Sequence, residues 1–208
     1  MKNRNPRNAP KNKLSRQMGE NIWGKENCPT NTRTYGPGQH GPRGVRRRSD
    51  YGVQLREKQK LKGYYGNIGE KQFRNIFKEA FSQKGDTSEN LLILLESRLD
   101  AIIYRSNIVP TVFAARQFVS HKHLTVNGVV VNIPSYRCKP GDIIEVREKS
   151  RSIPLVVESI QKMNRDLPEY ITLEPKEFKV CYVRYPDSDE IPYATIMSPT
   201  SVVEFYSR

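Results

Sequence analysis

Apolar positions change their spacing along the chain, first at helical intervals and later at strand intervals. Leu14, Met18 and Ile22 recur every fourth residue and predict a short helix over 15–23. Ser49 or Asp50 is a suitable cap for a helix through Val53, Leu55 and Lys58 that ends at Gly63. Phe73, Ile76, Phe77, Ala80 and Phe81 form one stripe of an amphipathic helix closed by Gly85. A further helix starts at Thr87 and carries Leu91, Leu92, Leu94, Leu95, Leu99, Ile102 and Ile103. It is apolar around much of its circumference, which predicts a central position. Pro110 breaks the run, and Val112, Ala115, Phe118 and Val119 predict a helix over 111–121.

The period then falls to two. Leu124, Thr125 and Val126 and the triplet Val129, Val130 and Val131 flank Asn127-Gly128, the strongest short hairpin signal. Pro140-Gly141-Asp142 predicts a turn before a strand over 143–146. Helix, helix, hairpin, turn and strand together make a compact module over 97–149. Residues 153–163 predict another helix packed on it, with Pro154 in its first turn. The Pro-rich remainder holds two β-like runs, 179–184 and 201–206. The fold class is α+β: a mostly helical domain with an inserted small helix-hairpin domain, preceded by a basic extended N-terminal arm.

Charge adds what periodicity does not show. Residues 1–62 hold 16 Lys and Arg against 4 Asp and Glu, while the other 146 residues hold 19 against 18. Nearly all of the formal +13 therefore lies in under a third of the chain. A basic block on a near-neutral body is the composition of a polyanion binder, because each cation that meets a phosphate displaces a counterion. The arm is rich in Asn, Pro, Gly and Arg and cannot bury enough apolar surface to fold alone. With Trp23, Tyr35 and a basic run, it is expected to become ordered on a partner. No apolar run is long enough to span a membrane, and no secretory signal is expected at the start. Cys28, Cys138 and Cys181 are scattered without metal-ligand spacing, so no zinc site and no disulfide framework are expected.

No nucleophile elbow, Walker loop or zinc-protease motif is present. No catalytic, metal or cofactor residues are assigned, and the chain is read as no enzyme. Gly36-Pro-Gly-Gln-His-Gly41 lacks the Lys-Ser/Thr of a nucleotide cradle, and its proline removes a backbone donor. It reads instead as a thin loop whose backbone can approach a surface, with Gln39 and His40 as contacts. Arg43, Arg46, Arg47 and Arg48 form the densest positive cluster, followed by Lys58, Lys60 and Lys62 beside Tyr64 and Tyr65. Guanidinium–phosphate contacts next to aromatic rings suit irregular RNA with exposed bases. The plainer alternative is a solvated charge face or a localisation signal. A second candidate surface comprises Arg116, His121, Lys122, His123 and Asn127; for Arg116 a purely structural role is equally open. His121 and His123 lack an evident third ligand for a metal.

Several blocks carry a family resemblance. They are Tyr35-Gly-Pro-Gly-Gln-His-Gly41, Lys58-Gln-Lys-Leu-Lys-Gly-Tyr-Tyr-Gly66, Glu70-Lys-Gln-Phe73, Leu95-Glu-Ser-Arg-Leu-Asp100, Pro110-Thr-Val-Phe-Ala-Ala-Arg-Gln117, Val126-Asn-Gly128, Asn132-Ile-Pro-Ser-Tyr136, Pro140-Gly-Asp142 and Val203-Glu-Phe-Tyr-Ser-Arg208. In order and spacing, from about Leu14 to the end, the chain resembles the bacterial-type small-subunit ribosomal protein S-four family.

The resemblance implies an arm over 1–48, a helical domain over 49–96 completed by 162–208, and a small RNA-binding domain over 97–161. It implies a structural constituent of the small subunit that binds the 5′ domain of small-subunit ribosomal RNA and nucleates assembly of the subunit body. With its neighbours, such a protein influences translational accuracy. The implied partners are that RNA, protein S-five, with S-three and S-twelve as further candidates, and mRNA near the entry channel, with no membrane. The implied location is the cytoplasmic ribosome of a bacterium, with an organellar ribosome as the alternative. Some relatives carry a cysteine zinc knuckle in the arm; this chain has only Cys28 there, so zinc is not carried over.

The competing readings are an RNA-modifying enzyme, such as a pseudouridine synthase, or a heat-shock RNA-binding factor that shares the small module. The 59 residues after Lys149 are too few for a catalytic domain. A DNA-binding protein is disfavoured because no helix-turn-helix dimer pattern is present.

Overall fold

The computed structural model describes residues 11–43 and 49–208, so the expectations for Arg46, Arg47 and Arg48 lie outside the described residues. The chain divides into two compact units. One joins the residues up to Leu91 with Tyr193–Arg208, and the other is Leu92–Pro192, inserted between those two parts in sequence. No helix among the described residues is long and apolar enough to cross a membrane.

The first unit is helical. It contains α1 (Lys11–Met18), α2 (Asp50–Tyr64), α3 (Glu70–Ser82) and the first half of α4 (Thr87–Glu96), and it is completed by the last helix of the chain, at Pro199–Ser207. Helix α1 ends earlier than its apolar spacing predicts, because Gly19 takes φ +65° and turns the chain. Met18 and Ile22 are nevertheless both buried. Ser49 caps α2, its side chain accepting from the Gly52 amide. The apolar stripe of α3 is buried at Phe73, Ile76, Phe77 and Ala80, as its spacing predicts; Phe81 stays 65% exposed.

The second unit contains the rest of α4, then α5 (Leu99–Arg105), α6 (Val112–Ser120), α7 (Glu148–Arg151) and α8 (Pro154–Lys162). It also contains β1 (Leu124–Val126), β2 (Val129–Val131), β3 (Ile143–Val146), β4 (Ile171–Glu174) and β5 (Lys179–Tyr182). The strands form one antiparallel sheet in the order β2-β1-β3-β5-β4. Helices α5 and α6 pack together, and Thr111 caps α6 by accepting from the Ala114 amide. In β1, β3 and β5 the buried residues alternate: Leu124, Val126, Ile144, Val146, Val180 and Tyr182. That pattern is what a sheet with one covered face requires.

Three expectations are corrected. The helix predicted from Thr87 through Ile103 is two helices. Ser97 bonds back to the Ile93 carbonyl, and Arg98 takes an extended conformation that bridges to Arg137, so the axis breaks there. The run 201–206 is not a strand but part of the last helix, α9 (Pro199–Ser207). Packing against α2 overrides the β-propensity of its valines and aromatics, and Val202 is fully buried. Finally, the chain does not return to the first unit at residue 162. Strand β4, which no sequence signal marked, pairs with β5, and β5 pairs with β3, so the second unit runs to Pro192.

Candidate nucleic-acid interface

In the first unit, Gln39 and His40 are exposed at the tip of a closed loop. Gly36 and Gly41 approach so closely at its base that a Cβ on Gly41 would collide with the Gly36 carbonyl oxygen. Inside the loop the Gly41 amide donates to the Gly38 carbonyl at 3.1 Å, with Gly38 at φ +89°. Arg43 ends a short 3-10 turn, Gly41–Arg43, directly after the loop.

Lys58, Lys60 and Lys62 do not present their charges to solvent. Their side chains are only 6%, 3% and 11% exposed. Lys58 and Lys62 donate to the two oxygens of Glu70, at 2.6 and 3.1 Å. Lys60 pairs with Glu20 and also donates to the Ile196 carbonyl. Burial alone would raise the Glu70 pKa, but hydrogen bonds from Lys58, Lys62 and Tyr206 outweigh it and hold the carboxyl below its ordinary value. Tyr64 and Tyr65 are core residues. Their rings contact Tyr193, and the Tyr65 and Tyr193 hydroxyls lie 2.6 Å apart. These five residues therefore build the helical core, not a stacking platform. The sequence signal that fits this is the four-residue spacing of Lys58 and Lys62, which puts both on one helix face toward a single carboxylate.

In the second unit, the turn after α6 brings His121, Lys122 and His123 together. Lys122 adopts φ +63° and is exposed, as is His121. The His123 ring stacks on Phe118 with centroids 4.7 Å apart, and its Nδ1 lies 2.8 Å from the Ser150 hydroxyl. Burial, and then the charges of His121 and Arg147, lower the His123 pKa. Arg147 donates to the Lys122 carbonyl at 2.9 Å, so it joins this cationic turn. Arg116 is 14% exposed and lies 3.8 Å from Asp100, which is already paired bidentately with buried Arg98. Its surroundings favour the structural role. Asn127 is exposed but works as a hairpin lock: its side chain donates to Asp142 and accepts from the Ile143 amide, both at 2.9 Å.

Two groups of cations, the first exposed and the second half-buried except for exposed Lys149, were not singled out by the sequence pattern. Lys71, Arg74 and Lys78 line the solvent face of α3 at intervals of three and four, opposite its buried stripe. Arg147, Lys149 and Arg151 follow β3 and flank the cationic turn. The signal for the first group was the complement of the apolar stripe. For the second it was three cations in five residues.

The chain matches two family models, described as the ribosomal protein S4/S9 N-terminal domain, over residues 7–96, and the S4 domain, over residues 97–144. It is 61% identical over 201 residues to small ribosomal subunit protein uS4 of Maricaulis maris, covering 97% of this chain and 98% of that one. Identity to the uS4 proteins of Rhizobium rhizogenes and Bartonella quintana is 60% and 59% over 202 residues, with the same coverage.

Proposed function

Since the chain belongs to the uS4 family of small ribosomal subunit proteins, we propose that it binds the 5′ domain of small-subunit ribosomal RNA early and nucleates assembly of the subunit body. It is a structural constituent of the small subunit and an RNA-binding protein, with ribosomal RNA and ribosomal proteins as its partners. The observation that carries this reading is the extent of the match, which covers both family models and 97% of the chain. An enzyme or heat-shock factor that borrows the small module would share only the part from residue 97 onward. The chain is therefore read as non-catalytic. Its relatives are bacterial proteins, which supports a bacterial cytoplasmic ribosome as its location.

The RNA contacts are assigned to Gln39 and His40 at the loop tip, Arg43, Arg46, Arg47 and Arg48, and the turn of His121, Lys122 and Arg147. Protein S-five, with S-three and S-twelve as further candidates, and mRNA near the entry channel complete the proposed surroundings, through which the protein influences accuracy. The test is sedimentation with small subunits washed at high salt, together with binding to a transcript of the 5′ domain. Retention on the washed subunit and tight binding to that transcript are expected. Loss from the subunit with equal affinity for unrelated RNA would overturn the reading.

A further inference from the structure

We propose that Arg16 is a positioning residue that clamps loop 36–41 in the shape that meets RNA. The inference rests on the reading of Gln39 and His40 as RNA contacts. Arg16 belongs to α1, which is anchored by buried Ser15 and Met18. Its Nη2 donates to the Gly36 carbonyl at 3.0 Å, and its guanidinium carbon lies 5.4 Å from the centre of the Tyr35 ring. Gly36 is also where the loop closes on Gly41. The clamp thus holds the residue at which both strands of the loop meet, and Tyr35 directly before it.

The tip itself has no buried side chain to fix it, since Gln39 and His40 are exposed. Without Arg16, the Gly41 amide bond to Gly38 remains, but among the described residues no other side-chain hydrogen bond ties the base to a helix. Binding would then have to order the loop, at a cost in affinity. The guanidinium is aimed at a carbonyl and a ring, so its removal weakens binding without releasing fewer counterions. A phosphate contact behaves differently, because its loss lowers the slope of log affinity against log salt by about one.

The experiment uses Arg16→Met, which keeps the stem and the helix propensity. In the free protein, exchange of the Gly41 amide is expected to quicken several-fold; unchanged exchange overturns the clamp. Against the 5′-domain transcript, Arg16→Met is expected to bind about tenfold more weakly with the wild-type salt slope. A slope lower by about one would make Arg16 a phosphate contact and overturn the proposal. In a Gln39→Ala/His40→Ala background the further loss is expected to be under about twofold, because the shaped tip has gone. A full additive loss there would show that Arg16 acts elsewhere. If the tip variant alone binds like wild type, the loop-contact reading falls and the effect on RNA falls with it, while the exchange measurement still decides the clamp. Gly41→Ala forces the base apart by contact with the Gly36 carbonyl and is expected to reproduce the Arg16→Met result by a second route. Wild-type binding by Gly41→Ala would count against the proposal.

Discussion

The Lys58 ammonium lies 2.6 Å from the Glu70 carboxylate, and its side chain is 6% exposed against 48% for its partner. Lys62 reaches the other oxygen, Tyr206 donates to the first, and the Lys58 ammonium also sits 4.4 Å from the Phe205 ring centre. One carboxylate from α3 is therefore shared by two buried cations of α2 and ties the C-terminal helix to both. Glu70→Ala is expected to destabilise the protein by about 3 kcal/mol, because it leaves buried ammonium groups without their counter-charge. Lys58→Met, which fills similar volume without charge, is expected to cost less. Chemical denaturation of the two variants checks the order; equal losses would contradict it.

The same carboxylate sets a pH dependence. Glu70 titrates below its ordinary 4.5, so the unfolded chain binds its proton first on acidification. The contribution is full above about pH 4.5 and is lost as pH falls through the lowered native value. Stability measured from pH 6 to pH 3 should therefore fall less steeply for Glu70→Gln than for wild type.

Asn127 offers a contrast between exposure and availability. Asn127 and Gly128 take φ +49° and +80°, the backbone a two-residue hairpin needs, and the Asn127 side chain bonds to both Asp142 and Ile143. Asn127→Ala is expected to cost about 1–2 kcal/mol of stability and to leave the salt slope of RNA binding unchanged. A slope reduced by about one would restore Asn127 as a phosphate contact.

The buried pair of Glu96 and Arg105 explains part of the Leu95-Glu-Ser-Arg-Leu-Asp100 block. Arg105 donates to both Glu96 oxygens, at 3.2 and 2.7 Å, and the Tyr170 hydroxyl donates to Glu96 at 3.1 Å. Glu96→Ala is expected to cost about 3–5 kcal/mol, and Tyr170→Phe about 1 kcal/mol. A double-mutant cycle should show strong coupling, because both partners meet one carboxylate.

Elements with strong local signals were legible in the sequence. The α3 stripe, the Ser49 cap, the helix after Pro110 and the Asn127-Gly128 hairpin all stand where spacing put them. What was not legible depends on partners far along the chain. Lys58, Lys60 and Lys62 look like a solvated basic run until Glu70 and Glu20 are brought to them. Residues 201–206 look β-like until α2 supplies a surface for a helix. In the candidate site, the exposure of the loop tip and of the His121–Lys122 turn was legible from composition. Arg147 could not, because its place beside Lys122 depends on β3 pairing with β1.

His123 carries a second pH effect of opposite chemistry. Its pKa lies below the ordinary 6.5 because burial, and then the His121 and Arg147 charges, oppose the imidazolium. The unfolded state therefore binds more protons than the native state just below pH 6.5, and stability falls with acidification in that window. Melting temperatures between pH 7.5 and pH 5.5 should drop less for His123→Gln than for wild type; identical drops would contradict the assignment.

The last prediction separates cations proposed to bind RNA from cations that hold the fold. Lys122 is exposed at a turn shaped by its positive φ and by Arg147, whereas Lys58 is enclosed by Glu70, Phe205 and Tyr206. Lys122→Met and Lys58→Met remove the same formal charge, so a model based on net charge alone expects equal losses of affinity. The geometry expects otherwise. Lys122→Met should lower the salt slope by about one and leave the melting temperature nearly unchanged. Lys58→Met should leave the slope as it is and act on stability. Titrations at several salt concentrations, paired with thermal melts, measure both quantities on each variant. Equal slopes for the two variants would show that Lys122 meets no phosphate.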